Sequence, residues 1–232
     1  MEIQLTLQEK SGSRPLSFSI CRMVNAGYTG RNQDEVRKHI DELAEKGIPG
    51  PEKTPTLYPV IPKTLIKDSH IDVYGDETCG EIEYVLFVVS EDEIYVGLGS
   101  DHTDRYLEET DIPRAKQICP NLVSDTVWPL AEIENHWDQM IMKSDVVRNG
   151  ETIAYQEGST SLIMGPKELM DFVRSCLSDS LAGTVIYSGT LGSLMGGFVF
   201  GEKFSTELID PILDRRIELG YAIQPLNYMT VE

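Results

Sequence analysis

The sequence predicts a mixed α+β fold. Segments with the two-residue alternation of β-strands outnumber segments with helical spacing, and the two kinds do not alternate regularly along the 232 residues. An Asn149-Gly150 pair between β-prone flanks also predicts a tight antiparallel hairpin. These features favour a mixed fold over a doubly wound parallel sheet.

Strands and one helix are predicted near the N-terminus. Residues 2–8 alternate between apolar and polar side chains, and residues 17–21 resume that alternation. The glycine-containing segment 25–30 breaks it and predicts a loop. From residue 33 to 46 the apolar residues follow a helical stripe that ends at Gly47, a natural C-terminal stop.

The central part of the chain is predicted to begin with an irregular connection. Five prolines between residues 49 and 62 cannot continue a helix or fill central positions of a sheet. Strand-like runs follow at residues 80–89 and 93–98, and residues 100–105 read as a polar loop.

The C-terminal part is predicted to contain a helix, a strand and a hairpin. Residues 167–177 have helical spacing after Pro166, which suits the first turn of a helix. Residues 184–187 read as a buried strand, and residues 208–223 as a hairpin around Asp214-Arg215.

The net charge and the cysteines limit the expected binding partners and the expected cellular compartment of the protein. The 38 acidic side chains outnumber the 20 basic ones, so neither nucleic acid nor an anionic membrane is an expected partner. The first residues lack a basic targeting region, and no apolar run is long enough to span a bilayer, which predicts a cytoplasmic protein. The four cysteines form no C-x-x-C pair, which predicts reduced, mostly buried thiols.

Glu81 and Glu83 begin the most informative segment, residues 80–89. In a strand both carboxylates lie on one face, and apolar residues continue along both faces beyond them. Two adjacent buried carboxylates repel each other unless a cation lies between them, and oxygen ligands suit magnesium, manganese or calcium. A frayed, solvated strand end would show the same pattern, so the residues alone leave both interpretations open.

Asp101 follows in the predicted loop and could return a third carboxylate to the same point. His102, next to it, could serve as a ligand or an acid–base group, but an exposed loop histidine is more often neither. We therefore leave His102 out of the predicted site.

His39 and Glu42 are three residues apart on the first predicted helix, so their side chains are neighbours on its surface. A carboxylate that orients an imidazole is what a water-activating dyad requires. An ordinary solvated helix pair has the same spacing and remains the alternative.

Several segments together, in this order, resemble the fumarylacetoacetate hydrolase superfamily, in particular a less characterised bacterial branch, over most of the chain. The run Glu81-Ile82-Glu83-Tyr84-Val85-Leu86 is similar to the E-x-E segment that supplies two metal ligands in that family. Residues 99–105 resemble, in shortened form, the loop that supplies the third. Asp101 is then the third metal ligand by position.

Further segments resemble other parts of that family's site. Lys116 with Pro120 is similar to a lysine that follows this loop in the family and precedes a proline-containing stretch. Asn149-Gly150-Glu151 with Gln156 resembles a V-N-G-E hairpin and its later glutamine. The resemblance implies catalytic roles for His39, Glu42 and Lys116, and substrate-binding roles for Arg105, Gln156, Gly189 and Thr190.

The resemblance also implies the architecture. We expect a mixed β-roll or sandwich with a few flanking helices, which forms a single catalytic domain over residues 1–232 and usually a homodimer. Within it, residues 1–60 would supply N-terminal strands and a lid-like helix, and residues 61–232 the metal-binding core.

The implied activity is hydrolysis of a carbon–carbon bond in a small acylpyruvate-like 2-oxo acid, through an enolate bound to Mg²⁺ (or Mn²⁺ or Ca²⁺). His39, oriented by Glu42, would activate the water. A decarboxylase, hydratase or tautomerase would pass through the same enolate, and the sequence does not choose among them. Residues 119–122 and 189–191 depart from the family's pattern, which leaves the substrate open.

Two readings from other functional classes remain compatible with the sequence. A non-catalytic protein could keep the site to bind metal or carboxylate, and a structural protein could carry the glutamates on a solvated strand end. Stoichiometric affinity for a divalent cation separates the last reading from the others.

Overall fold

The computed structural model describes residues 1–44, 51 and 53–229. In chain order the strands are β1 (Glu2–Glu9), β2 (Gly12–Ser19), β3 (Arg22–Gly27), β4 (Thr56–Val60), β5 (Leu65–Ile66), β6 (His70–Val73), β7 (Thr78–Cys79), β8 (Ile82–Val88), β9 (Ile94–Asp101), β10 (Thr103–Asp104), β11 (Asn121–Val123), β12 (Thr126–Pro129), β13 (Ile141–Arg148), β14 (Glu151–Ser159), β15 (Thr184–Tyr187), β16 (Lys203–Asp210) and β17 (Arg215–Pro225). The helices are α1 (Gln33–Ala44), α2 (Arg105–Glu108), α3 (Ile112–Ile118), α4 (Leu130–Ile133) and α5 (Pro166–Cys176). Single 3-10 segments cover Pro62–Thr64, Glu134–Gln139 and Thr160–Leu162.

A mixed ten-stranded sheet curls into a roll. Its main order within the described residues is β2-β1-β12-β9-β8-β15-β3-β4, with β11 and β5 attached beside β9. One apolar cluster draws its members from strands along this whole order, including Leu5 on β1, Phe87 on β8 and Val60 on β4. Because side chains from both ends of the sheet meet in one cluster, the sheet wraps around it.

A second sheet covers one outer side of the roll. It has five strands in the order β14-β13-β16-β17-β6 within the described residues. A larger apolar cluster joins its inner face to the roll and to α5, with Tyr84 from β8, Leu208 from β16 and Leu169 from α5 among its members. The predicted mixed β-roll fold with a few flanking helices is therefore confirmed.

Strand β8 lies inside the ten-stranded sheet, with β9 and β15 on its two sides. Val85 and Phe87 face the interior of the roll, whereas Tyr84 and Leu86 face the cluster between the sheets. Every residue of β8 is buried. The predicted strand with two buried faces is confirmed, and Glu83 belongs to the interior face by its parity with Val85.

The antiparallel hairpins match their turn residues. Strands β13 and β14 pair on either side of Asn149 and Gly150, whose φ angles of 53° and 77° suit the tight turn predicted there. The C-terminal hairpin of β16 and β17 is also confirmed, and it is longer than predicted. Helix α5 covers the predicted segment, and α1 is described as far as Ala44, whereas residues 45–50 lie outside the described residues.

Two local predictions within residues 1–62 were wrong. Residues 25–27 are the end of β3 rather than a loop, because pairing with β15 and β4 outweighs the local preference of glycine. The proline-rich segment contains β4, including Pro59. Strand β4 ends the sheet order, so the missing N–H of Pro59 faces no further strand.

The cysteines and helices bear on two other expectations. All four cysteines are free, as predicted, but Cys21 and Cys176 are exposed, so the thiols are not mostly buried. Among the described residues, no helix combines the length and the apolar character that a membrane span requires.

Candidate metal centre

Three carboxylates meet at the end of the β8–β9 pair. One oxygen from each of Glu81, Glu83 and Asp101 lies within 4.8 Å of the others. Glu83 and Asp101 are each 1% exposed, so the group is not a solvated strand end. The structure thus brings together the three residues that the sequence predicts as metal ligands.

The strand register explains how the three carboxylates meet. The Asp101 N–H donates to the Glu81 carbonyl at 3.2 Å, which makes these residues cross-strand neighbours. Glu83 lies two residues further along β8 and therefore on the same face as Glu81. Asp101 is the last residue of β9, so the prediction that it lies in a loop was wrong; pairing with β8 and β11 extends the strand.

Two buried cations flank the carboxylates. The Lys116 ammonium on α3 lies 2.7 Å from an Asp101 oxygen and 3.2 Å from a Glu81 oxygen. The Arg105 guanidinium lies 3.0 Å from the other Glu81 oxygen and 2.6 Å from Glu108. Glu81 therefore bridges the two cations, and Glu108 supplies a fourth carboxylate to the cluster.

The charges act differently on the carboxylates. Burial alone would raise the pKa of Glu81, but Arg105 and Lys116 together lower it to about 2. The pKa of Glu83 is raised well above its usual value by burial and by the charges of Asp101 and Glu81. Burial also raises the pKa of Asp101, although Lys116 opposes the shift. Negative charge at Glu83 and Asp101 is therefore incompletely neutralised by the protein.

This donor set fits a divalent cation. Carboxylate oxygens are the ligands that Mg²⁺, Mn²⁺ and Ca²⁺ prefer, and oxygens around one Mg²⁺ lie about 2 Å from the ion. Carboxylate oxygens within 4.8 Å of one another need small shifts to reach that geometry. The raised pKa values of Glu83 and Asp101 mark the charge that such an ion would neutralise.

The carboxylates are bordered, next to β14 and β15, by a polar wall that consists of Gln156, Gly189 and Thr190. The Gly189 N–H donates to a Glu83 oxygen at 2.8 Å, and the Thr190 hydroxyl donates to the Ile82 carbonyl at 2.8 Å. The Gln156 amide donates to the Thr190 hydroxyl at 2.8 Å and accepts from the Ile82 N–H at 3.1 Å. The predicted substrate-binding residues Gly189, Thr190 and Gln156 thus lie beside β8.

His102 is buried within a hydrogen-bonded chain that the sequence did not reveal. Its Nε2 lies 3.0 Å from the Thr78 hydroxyl, and its Nδ1 lies 2.9 Å from the Tyr221 hydroxyl. Tyr221 is in turn 2.8 Å from the Ser100 hydroxyl, which accepts from the Glu81 N–H at 3.2 Å. Burial and nearby Arg105 lower the pKa of His102 to about 3, so a neutral histidine connects β17 to the carboxylate end of β9.

Tyr28 is a further residue beside the cluster. It follows β3 in the left-handed region, with φ 57°, and Gln33 Nε2 donates to its carbonyl at 2.9 Å. Its pKa is raised by burial and by the charge of Glu108. A non-glycine residue in this region is costly, and such residues concentrate at functional sites. Tyr28 is therefore a candidate site residue that the sequence prediction missed.

The predicted dyad of His39 and Glu42 belongs to α1. Helix α1 includes positions 39 and 42, but the side chains of His39 and Glu42 lie outside the described residues. Their catalytic roles stay predictions.

Comparisons with known proteins agree with the fold. A yeast protein of the fumarylacetoacetate hydrolase family is 17% identical, with a TM-score of 0.61 over 92% of this chain and 97% of that one. A Burkholderia cenocepacia protein provisionally named fumarylpyruvate hydrolase is 14% identical, with a TM-score of 0.62 over 96% of each chain. The 2-keto-3-deoxy-D-arabinonate dehydratase complexed with magnesium and 2,5-dioxopentanoate is 13% identical, with a TM-score of 0.63 over 92% of this chain and 76% of that one.

These similarities confirm the predicted fumarylacetoacetate hydrolase fold. No curated protein matches the sequence. A family model described as "Protein of unknown function (DUF2848)" matches residues 26–221, which is most of the chain. The chain therefore belongs to the DUF2848 family, and its fold is that of the fumarylacetoacetate hydrolase proteins.

Proposed function

We propose that this protein is a divalent-cation-dependent enzyme that hydrolyses a carbon–carbon bond in a small acylpyruvate-like 2-oxo acid. The proposal rests on one observation: Glu81, Glu83 and Asp101 converge within 4.8 Å in a buried position beside Lys116. Mg²⁺ is the expected ion, with Mn²⁺ or Ca²⁺ as replacements. We also expect a cytoplasmic homodimer.

A cation held there would supply positive charge beside the oxygens of a 2-oxo acid and stabilise negative charge that develops on them. Lys116 contributes a second positive charge on the same side. Burial alone would lower the pKa of Lys116, but Asp101 and Glu81 raise it well above its usual value. Lys116 therefore stays protonated and serves as an electrostatic group rather than a general base.

The polar wall of Gln156, Gly189 and Thr190, next to β14 and β15, positions the substrate. Gln156 holds the Thr190 hydroxyl at 2.8 Å, and Gly189 holds Glu83 at 2.8 Å. Gln156 is also hydrogen-bonded to the Ile82 N–H and to the Leu191 carbonyl at 2.6 Å, so its role is to orient the wall. The Thr190 hydroxyl donates to the Ile82 carbonyl, so Thr190 presents its backbone N–H to the substrate carboxylate.

Hydrolysis also requires activation of a water. We assign this step to His39, oriented by Glu42, because a histidine paired with a carboxylate accepts a proton readily near neutral pH. General-base catalysis of this kind contributes about 10² to 10⁴ in rate. The assignment rests on the spacing along α1 and on the family resemblance.

A lyase acting at the same carboxylates is the second candidate. One similar structure is a 2-keto-3-deoxy-D-arabinonate dehydratase complexed with magnesium, and loss of a hydroxyl beside the same kind of enolate would use Lys116 and the cation without His39. Product analysis separates the two activities, because hydrolysis yields two acids from one substrate whereas dehydration yields one unsaturated or dioxo acid.

The first test is calorimetric binding of Mg²⁺ or Mn²⁺ to the wild-type protein and to Glu83→Ala, with and without oxalate. We expect stoichiometric binding that is lost in Glu83→Ala and tightened by oxalate, which mimics the enolate of pyruvate. Glu93→Ala, at an exposed carboxylate between β8 and β9, is the control and should bind like the wild type. Absence of cation binding by the wild type would contradict the proposal.

The second test separates an enzyme from a binding protein. In His39→Ala we expect loss of acylpyruvate hydrolysis with cation affinity unchanged. Full hydrolysis in His39→Ala would remove His39 from the mechanism. Cation and oxalate binding without turnover of any acylpyruvate by the wild type would identify a non-catalytic binder.

A further inference from the structure

We propose that the segment of residues 191–200 forms an apolar subsite, centred on Phe198, that selects 2-oxo acids with hydrocarbon or aromatic tails. The inference rests on the proposed function, because it assigns the substrate's tail to a surface beside the site proposed for its acid group.

Side-chain exposure shows where the site opens. Glu83 and Asp101 are each 1% exposed, whereas Glu81 is 14% and Glu108 is 20% exposed. The deep end of the carboxylate cluster is therefore at Glu83 and Asp101, and its open end is at Glu81 and Glu108. Both residues of the open end are paired with Arg105, so a ligand enters past that guanidinium.

Phe198 covers this guanidinium. The Arg105 Cζ atom lies over the Phe198 ring, 4.2 Å from its centroid. The nitrogens of Arg105 point to Glu81, Glu108 and, at 3.0 Å, the thiol of Cys79. The guanidinium edge thus faces its carboxylate and thiol neighbours, and one face of the group is stacked on the ring. Phe198 itself remains 56% exposed, which leaves an aromatic surface at the mouth.

The loop that carries Phe198 leaves directly from the site. It begins after Thr190, which is hydrogen-bonded to β8 through the Ile82 carbonyl. The Leu194 N–H donates to the Tyr155 carbonyl at 2.8 Å, and the Glu202 N–H donates to the Val147 carbonyl at 2.7 Å. The loop is thus held at its start, in its middle and at its end, so Phe198 belongs to a positioned surface.

The side chains of the loop are mainly apolar. Leu194 and Met195 are 54% and 61% exposed, in addition to Phe198. The polar side chain among residues 191–200 is Ser193, and its hydroxyl accepts from the Met195 N–H at 3.1 Å. Covering exposed side chains of this kind with an apolar group removes apolar surface from water, which lowers the free energy of the complex.

The apolar character of residues 191–200 discriminates between substrates with different tails. When a hydrocarbon or aromatic tail packs on Phe198, both apolar surfaces are removed from water. Such a tail needs no hydrogen-bond partner. A polyhydroxylated tail of the same length would have to bury hydroxyl groups against apolar carbon, which costs free energy unless each finds a partner. The loop therefore favours acids with unsubstituted tails over sugar-derived acids.

Calorimetry with three acids in the presence of Mg²⁺ tests the inference. Pyruvate reports the acid-binding site alone, 2-oxohexanoate adds a hydrocarbon tail without a second carbonyl to cleave, and 2-keto-3-deoxygluconate adds hydroxyl groups to a tail of the same length. We expect 2-oxohexanoate to bind about 10-fold more tightly than pyruvate, since burial of two methylenes suffices for that gain. The hydroxylated acid should bind no more tightly than pyruvate.

Variants then test whether the higher affinity for 2-oxohexanoate comes from Phe198. In Phe198→Ala the advantage of 2-oxohexanoate over pyruvate should fall to about 2-fold or less, while Phe198→Leu should keep most of it. Ile212→Ala is the matched control, because Ile212 is 54% exposed in the turn between β16 and β17. Its affinities for all three acids should equal those of the wild type.

Each other outcome has a distinct meaning. If wild-type protein binds no pyruvate, the proposed function fails at the acid site. Pyruvate binding without an advantage for 2-oxohexanoate overturns the subsite alone, as does an equal loss of both affinities in Phe198→Ala. If sedimentation shows that Phe198→Ala separates a dimer into monomers, the loop is an interface between two copies, and the subsite is again overturned.

Discussion

The ammonium of Lys116 lies 2.7 Å from an oxygen of Asp101, inside the group of carboxylates that is proposed to hold the cation. The same ammonium lies 3.2 Å from Glu81. Lys116 therefore neutralises charge that a divalent cation would also neutralise, and the two positive charges would share the same oxygens. This arrangement leads to opposite expectations for stability and for cation affinity.

In Lys116→Met, we expect the cation-free protein to lose stability while its affinity for Mg²⁺ increases several-fold. Removal of one partner from a buried ion pair costs about 3–5 kcal/mol, and the repulsion between ammonium and cation disappears. Thermal unfolding with and without Mg²⁺, together with calorimetry, measures both effects. Lys143→Met is the control, since Lys143 forms an exposed pair with Glu157. Weaker Mg²⁺ binding in Lys116→Met would contradict this view.

The pH dependence of stability should report Glu83. Its pKa in the folded protein is raised well above the usual 4.5, so the folded state binds the proton more tightly than the unfolded state. The stabilisation is complete below about pH 4.5 and is lost as the pH rises through the raised pKa. We expect the melting temperature of cation-free protein to fall across this window.

Saturating Mg²⁺ should reverse this pH dependence, because the cation binds the deprotonated carboxylates and its affinity increases with pH. Glu83→Gln should abolish most of the slope in cation-free protein. A slope that is unchanged in Glu83→Gln would show that another group titrates. Glu81 behaves in the opposite sense, since its pKa of about 2 contributes stability above pH 4.5 that is lost on acidification.

Gly189 should not tolerate a side chain. Its φ is 81°, and an added Cβ would collide with the Thr29 hydroxyl and lie 3.1 Å from the Ala26 carbonyl. In Gly189→Ala we expect a stability loss of about 1–3 kcal/mol and weaker cation binding, because the N–H that orients Glu83 is displaced. Gly192→Ala is the control, since nothing lies within 4 Å of its added Cβ. Equal melting temperatures for the two variants would contradict the expectation.

Tyr221→Phe should test the chain that runs through His102. Loss of one hydroxyl leaves the Ser100 hydroxyl and the His102 imidazole without their shared partner in a buried position. We expect a cost of about 1–3 kcal/mol in stability and a several-fold decrease in Mg²⁺ affinity, measured by chemical denaturation and calorimetry. Tyr106→Phe, at a residue that is 73% exposed, is the control. Unchanged Mg²⁺ affinity would restrict the chain to a structural role.

Alternation along the β8 segment was sufficient to predict that Glu81 and Glu83 share one face. The residues alone left a solvated strand end as the alternative, and the family resemblance supplied Asp101 as the third carboxylate. The hairpin at Asn149 and Gly150 was predictable from local rules, since the turn conformation depends on these two residues.

Features that depend on distant partners could not be predicted. His102 looked like an exposed loop residue because its partner Tyr221 is 119 residues away. The end of β3, residues 25–27, looked like a loop because its order comes from pairing with β15 and β4 rather than from its own residues. Glu108 was missed, although its position three residues after Arg105 at the start of α2 is a signal for an ion pair.

The pairing of β3 with β15 also sets an order of events during synthesis. The bond from the Thr29 hydroxyl to the Ser188 carbonyl spans 159 residues, so the N-terminal strands leave the ribosome long before their neighbour in the sheet exists. Contacts this distant in sequence form slowly, and unpaired apolar strands aggregate while they wait. Chains that end before β15 should therefore accumulate as insoluble material, and the carboxylate cluster should form only once the last third of the polypeptide has been made.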